Sequence, residues 1–231
     1  MRVLLISHEP QAAPGRIGRM LAERDVETHV HVVLEDPLIP NTDFPDPGEF
    51  DAVIAFGSFA NAHDPKARVW VEPEIDYIRH VTSSATPYLG VCFGGQLLAE
   101  ALGGSVVPAG TQASEVGLVD FGDRETKSDV PTGPWFTWHE DRIELPPDVD
   151  VLMRNDNAIQ LFRSGSVVGT QFHPEADLAL VGMWTDVGAD HIPEHTTATE
   201  LLADLADADD ELERNCRDLI DWFFTDVMTT A

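Results

Sequence analysis

A chain of 231 residues with 43% hydrophobic residues is long enough to bury a sizeable core in one domain. Its 41 acidic against 14 basic residues, a formal net charge of -27, argue against nucleic acid and anionic membranes as partners, because both would be repelled. No apolar run reaches the length of a membrane span, the opening MRVLLISHEP does not read as a signal peptide, and two cysteines build no disulfide framework, so a cytoplasmic protein is expected.

The first half of the chain alternates strand and helix signals. Residues 3–6 are a short apolar run and read as a buried strand, and residues 14–24 set Ile17, Met20 and Leu21 at helical spacing. A Val-rich stretch, 28–34, is a second strand, followed by a Pro- and Asp-rich loop over 35–49. Residues 51–56 (DAVIAF) make a third strand that ends at Gly57. A helix is expected over 65–82, with Trp70, Ile75, Ile78 and Val81 on one face and Pro73 as an early kink or restart. Residues 88–91 are the fourth strand, and 95–102 a helix stopped by Gly103 and Gly104. Strands separated by helices in this way point to a largely parallel sheet covered by helices, the α/β class.

The second half changes character. Residues 105–107, 116–121 and 149–153 read as short strands, and 158–162 with 167–172 as a hairpin-like pair. From 199 to 227 the chain is helical, with Leu201, Leu205, Ala208, Leu212, Cys216, Leu219 and Phe223 in one stripe. There is no internal repeat or low-complexity linker. Residues 1–231 are therefore read as one domain with a C-terminal helical segment at about 196–229.

The chemistry is carried by TPYLGVCFGGQLLAEALGG, residues 86–104. A buried strand runs into Cys92 and a helix begins within a few residues, with Gly90, Gly94 and Gly95 leaving room for a sharp turn. This is the arrangement of a nucleophile elbow, with sulfur in place of oxygen. Free N–H groups and the positive dipole end at the helix start favour a thiolate and can hold an oxyanion. Standing alone, Cys92 would read as a small buried apolar residue. The glycines around it and a second motif turn the reading to a nucleophile. That motif is GTQFHPEAD, residues 169–177, where His173 and Glu175 lie two apart and share a face of an extended segment. Glu175 can accept one imidazole N–H while the other ring nitrogen meets Cys92, which is the nucleophile–base–orienter logic of acyl transfer.

GVCFGGQ resembles the G-x-C-x-G-x-Q motif of class I glutamine amidotransferases, and QFHPE resembles their second signature. The likeness runs from the third strand to residue 175 and looks closest to stand-alone proteins similar to the glutaminase domain of GMP synthase. It implies a three-layer, flavodoxin-like sandwich with a largely parallel central sheet. It also implies a triad of Cys92, His173 and Glu175 that hydrolyses the side-chain amide of glutamine without a cofactor. Gln96 is then expected to help bind the substrate, and the Phe93 N–H to form half of the oxyanion hole. The other half is expected from the turn after the third strand. Family members resemble G-G-P-x-S there, whereas this chain has FGSFA over 56–60; Gly57 matches and keeps the oxyanion role. Glu115 and Gly117 resemble a segment that contacts the amino-acid end of glutamine, the other reading of Glu115 being an exposed strand acid.

Residues 138–141 (WHED) resemble a His-x-Asp stretch of this family and either border the active site or form a solvated turn. His191 and His195 flank Pro193, which breaks the helical spacing a pair of metal ligands needs, so no metal site is read. With neither a phosphate loop nor a dinucleotide fingerprint, any synthetase partner belongs to a separate chain. Two other functions stay open. One is a γ-glutamyl peptidase or hydrolase with the same triad, its altered 56–60 turn opening the pocket to a larger leaving group. The other is a non-catalytic interaction module, against which the filled triad argues.

Overall fold

In a computed structural model, which describes residues 1–108, 114–121 and 130–230, the first apolar run forms β1 (Arg2–Ser7). Its side chains alternate between two cores. Val3 and Leu5 pack with Ile17, Met20 and Leu21 of α1 (Gly15–Glu23), while Leu4 and Ile6 pack on the opposite face. Burial on both faces is why the strand reads as a continuous apolar run. β2 (Glu27–Val32) and β3 (Ala52–Ala55) flank β1, both parallel to it. β4 (Tyr88–Val91) lies parallel to β3 on its far side. α2 (Arg68–Ser83) and α3 (Phe93–Ala101) cover the face lined by Leu4, Ile6, Val53 and Ala55. The helix α2 runs through Pro73 without a restart. That proline removes a single intrahelical bond, to the carbonyl of Val69 on the exposed side.

β5 (Ser105–Pro108), β6 (Glu115–Val119), β7 (Trp135–His139) and β8 (Asp141–Glu144) lie outside the main sheet as two antiparallel pairs, β5 with β8 and β6 with β7. β9 (Asp150–Arg154), β10 (Ile159–Ser164) and β11 (Val167–Thr170) complete a seven-stranded sheet of order β2-β1-β3-β4-β11-β10-β9. β11 runs parallel to β4, and β10 alone runs against the rest.

Three elements depart from the sequence reading. Residues 138–141 are held in two strands and not in a solvated turn, because Trp135, Phe136 and Thr137 are buried and His139 and Asp141 bond Glu115 and His63. α4 (Leu178–Val187) was not expected; Asp177 caps it by accepting the N–H of Leu180 at 2.9 Å. The C-terminal helix is two, α5 (Ala198–Asp207) and α6 (Asp209–Trp222), broken at Ala208. Asp209, Asp210 and Glu211 sit in the first turn of α6, where the helix dipole favours acids and a fresh start. Cys216, Leu219 and Ile220 of α6 join the core that α1 forms on one face of the sheet. α1 and α6 thus make one outer layer and α2 with α3 the other, the three-layer sandwich expected. Among the described residues no helix is long and apolar enough to cross a membrane.

Candidate active site

β4 ends at Val91, α3 begins at Phe93, and the one residue between them is Cys92 at φ 49°, ψ -102°. A side-chain-bearing residue at positive φ is strained, and the surroundings must hold it there. They do so through three hydrogen bonds. The Cys92 N–H donates to Thr170 O at 2.8 Å, Gln96 N–H to Cys92 O at 2.8 Å, and Gly94 N–H to Phe56 O at 3.1 Å. The last contact brings α3 so close to β3 that a Cβ on Gly94 would stand 2.4 Å from the Ala55 carbonyl oxygen. The glycine is therefore required by close approach.

β11 leads into the second half of the site. His173 and Glu175 are both buried, and the His173 Nδ1–H donates to Glu175 Oε1 at 2.8 Å. Cys92 lies beside the same ring, close enough to act on its charge. Burial alone would push the imidazole pKa down. The neighbouring Cys92 sulfur and Glu175 carboxylate outweigh burial and hold it well above the ordinary histidine value. Trp184 of α4 covers the ring, centroid to centroid at 4.8 Å. Gln171, fully buried, donates from Nε2 to Cys92 Sγ at 3.5 Å and accepts from Gln96 Nε2 at 3.5 Å.

Gly57 closes the third side. A Cβ there would lie 3.1 Å from His173 Cε1 and 4.0 Å from Cys92 Cβ, so the turn passes directly over the sulfur and the ring. Among the described residues, neither the Gly57 N–H nor the Phe93 N–H has a hydrogen-bond partner. The cleft above them measures about 200 Å³ and is lined by Cys92, Phe93, Gln96, Gly57, His173 and Glu175, together with Glu9, Ser58 and the 138–141 stretch. Six of the eight residues singled out in the sequence therefore converge here.

Glu115 and Gly117 do not line the cleft. Glu115 is a buried hub instead of a solvated strand acid or a wall of the cleft. It accepts from His139 Nε2 at 3.1 Å, Gln160 Nε2 at 2.7 Å, Asn155 Nδ2 at 2.6 Å and Asn157 Nδ2 at 3.1 Å. Burial would raise its carboxyl pKa, yet the bonds from His139, Asn157 and Asn155 outweigh burial and hold it below the usual value. Gly117 sits at φ 114° beneath Leu201 of α5. Both positions serve the β6–β7 pair.

The sequence reading missed several residues that the fold brings to the site. His8 and Glu9 follow β1, whose carboxyl end lies beside that of β3, and the carboxyl ends of parallel strands are where α/β sites form. A polar His-Glu pair directly after a buried strand was the available signal. Gln171 could have been found from its place two residues before His173 on an extended segment. The 138–141 stretch, read as either bordering the active site or forming a solvated turn, lines the cleft. Among the described residues no group of three or more side chains could hold a metal ion.

A profile described as glutamine amidotransferase class-I matches residues 15–183. GMP synthase [glutamine-hydrolyzing] of Thermomicrobium roseum is 35% identical over 128 residues, covering 53% of this chain and 23% of that protein. A gamma-glutamyl-L-1-hydroxyisopropylamide hydrolase of a Pseudomonas species is 30% identical over 143 residues, covering 55% of this chain and 48% of the relative. The chain thus matches less than two thirds of the length of either. A crystal structure of a glutamine amidotransferase from Thermotoga maritima superposes with a TM-score of 0.82 at 24% identity, covering 97% of this chain and 98% of that one, a likeness of fold alone. Because the profile match begins at the first residue of α1, ends inside α4 and takes in both the elbow and the His-Pro-Glu segment, the chain belongs to the class I glutamine amidotransferase family.

Proposed function

We propose that this protein hydrolyses the γ-amide of glutamine, with Cys92 as nucleophile, His173 as acid and base, and Glu175 as the group that orients and charges His173. The observation that carries the reading is the single constellation of a strained elbow cysteine, a histidine beside it, and a carboxylate 2.8 Å from the Nδ1 of that histidine. The Cys92 thiolate attacks the amide carbon, a C–S bond forms, and the carbonyl oxygen takes the negative charge. The Phe93 and Gly57 N–H groups stabilise that oxyanion. His173 gives its proton to the leaving nitrogen, the C–N bond breaks, and ammonia departs from a glutamyl thioester. His173 then takes a proton from water, whose oxygen attacks the thioester, and collapse of the second oxyanion returns the thiolate and releases glutamate. Every atom moved comes from substrate, water or these side chains. Gln96, on the wall beside Cys92, contributes to holding the substrate.

Use of the ammonia by a synthetase is a reading supported by the GMP synthase relative, of which this chain matches 23%. A second reading, cleavage of γ-glutamyl amides larger than glutamine, is favoured by the hydrolase relative and by the cleft's extension from Cys92 to Glu140, Val187 and His191. The test is release of ammonia from glutamine, and of amine from γ-glutamyl amides, by the wild type and Cys92→Ala. Turnover of glutamine that vanishes in Cys92→Ala supports the first reading. Turnover of γ-glutamyl amides alone moves the assignment to the second, and turnover of neither refutes both.

A further inference from the structure

The turn that passes over Cys92 contains no proline, and its conformation must be held by something else. Gly57 joins two peptide planes, the first carrying its N–H and the second its carbonyl, and the turn is held in place over Cys92 only when both are fixed. The first plane is fixed by α3, since the Phe56 carbonyl accepts the Gly94 N–H at 3.1 Å. The second is fixed by a residue with no assigned role. His8, wholly buried, donates from Nδ1 to the Gly57 carbonyl at 3.0 Å. Its Nε2 lies 3.0 Å from both carboxylate oxygens of Glu74 on α2, which is equally buried. The same imidazole meets the ring of Phe93 edge-on, with centroids 4.8 Å apart. One side chain therefore touches the residues that supply both proposed oxyanion donors.

We propose that His8, anchored by Glu74, is a positioning residue that holds the Gly57 turn, and with it the Gly57 N–H, in place over Cys92. The inference rests on the reading that Cys92 attacks an amide carbonyl. Both ring nitrogens face acceptors only, a carbonyl on one side and a carboxylate on the other. With Glu74 as a carboxylate, the imidazolium satisfies both contacts by donating from each ring nitrogen. The charged groups facing the ring are Glu74 from α2 and Glu9 from the segment after β1; Phe93 of α3 and Trp70 of α2 contribute uncharged faces. Burial alone would lower the His8 pKa, but Glu74 and then Glu9 outweigh it and hold the value above the ordinary one. Glu9 braces the same turn further along, accepting the Ser58 hydroxyl at 2.7 Å and the Phe59 N–H at 3.3 Å.

The test separates positioning from mere support of the fold. Removing His8 alone would strand the buried Glu74 carboxylate, so the variant to make is His8→Phe with Glu74→Leu, which replaces both partners by apolar groups. Two rates are compared in the folded double variant. Hydrolysis of glutamine and of a γ-glutamyl anilide needs the oxyanion hole. Alkylation of Cys92 by iodoacetamide, a displacement at saturated carbon, does not. Loss of one well-aimed donor predicts a fall in kcat of roughly 10²- to 10³-fold with KM little changed. The alkylation rate should stay within about threefold, since no oxyanion forms in that reaction. A second variant, Glu74→Gln, keeps a hydrogen bond to the ring and removes the charge; it should retain kcat within about tenfold of wild type, well above the double variant. A Glu74→Gln variant as slow as the double variant overturns the proposal, as does a folded double variant with near wild-type kcat or with alkylation falling in step with hydrolysis. If hydrolysis is lost in Cys92→Ala but kept in the double variant, only the role of His8 falls. If the wild type shows no Cys92-dependent hydrolysis, the underlying reading falls and this proposal with it.

Discussion

Replacing Glu175 by glutamine isolates the part of the proposed triad that acts through His173. The carboxylate lies 2.8 Å from His173 Nδ1, and the two side chains are 2% and 6% exposed, so water screens their interaction little. A hydrogen bond to a charged group contributes about 1.5–3 kcal/mol, which corresponds to a factor of roughly 10 to 10² in a rate that depends on the imidazolium. Glu175→Gln should therefore lower kcat by up to about 10²-fold, less than the loss of Cys92, since the residue orients and polarises without transferring a proton. The pH profile carries the second signature. His173 is held well above its ordinary value, so its protonated form stabilises the fold fully below the unfolded value, and this contribution disappears as pH rises through the folded one. Glu175→Gln removes one of the two charges that raise it, so the alkaline limb of kcat should move to lower pH. The assay is steady-state release of ammonia from glutamine across a pH series. A variant within about threefold of wild type, with its alkaline limb unmoved, would show that the 2.8 Å contact does not act through His173.

Cys92→Ala should cost at least ~10³-fold in amide hydrolysis while thermal unfolding stays close to wild type. His173→Ala should cost about as much, and the Cys92→Ala/His173→Ala double variant no more than either alone; additive losses in kcat would mean that the pair does not act as a unit. Glu115→Gln should leave KM for glutamine within about threefold but lower Tm by roughly 4–10 °C, because it weakens a buried hub that takes four donors. A tenfold rise in KM at unchanged Tm would return Glu115 to substrate binding.

The elbow was legible because its signals are local. Glycines that let a helix approach a strand, and a cysteine between the two, need only a few consecutive residues to be recognised. The His173–Glu175 pair was legible for the same reason, since two-residue spacing on an extended segment puts both on one face. The structure supplied what depends on distant partners. For His139 and Asp141 the sequence left open a border of the active site or a solvated turn; they are buried because Glu115 and His63 satisfy them from far along the chain. α4 escaped because its cap, Asp177, follows directly on the catalytic motif and its helix is apolar nearly all round, a pattern that periodicity cannot separate from a buried strand. The break at Ala208 hid behind an unbroken apolar stripe. It becomes intelligible once Arg16, buried on α1, is seen to bind Asp209 at 2.6 Å and Glu213 at 2.9 Å, fixing the start of α6.

The displacement of Glu115 from the cleft follows from the topology. β1, β3, β4 and β11 are adjacent and parallel, so their carboxyl ends open on one edge of the sheet. That edge receives His8 and Glu9, then Gly57 and Ser58, then Cys92, then Gln171 and His173, each just past the end of its strand. β6 belongs to a different, two-stranded sheet and reaches the site only through its partner β7. In the register of that pair Glu115 faces His139, so the carboxylate is spent on the histidine, and it is β7 and β8 that carry His139 and Asp141 to the cleft wall. The proposed reacting centre is thus set on the parallel sheet, while the wall carrying His139 and Asp141 is hung on two separate small sheets. Substitutions in β7 and β8 should accordingly change which γ-glutamyl compound is accepted before they change the chemistry at Cys92.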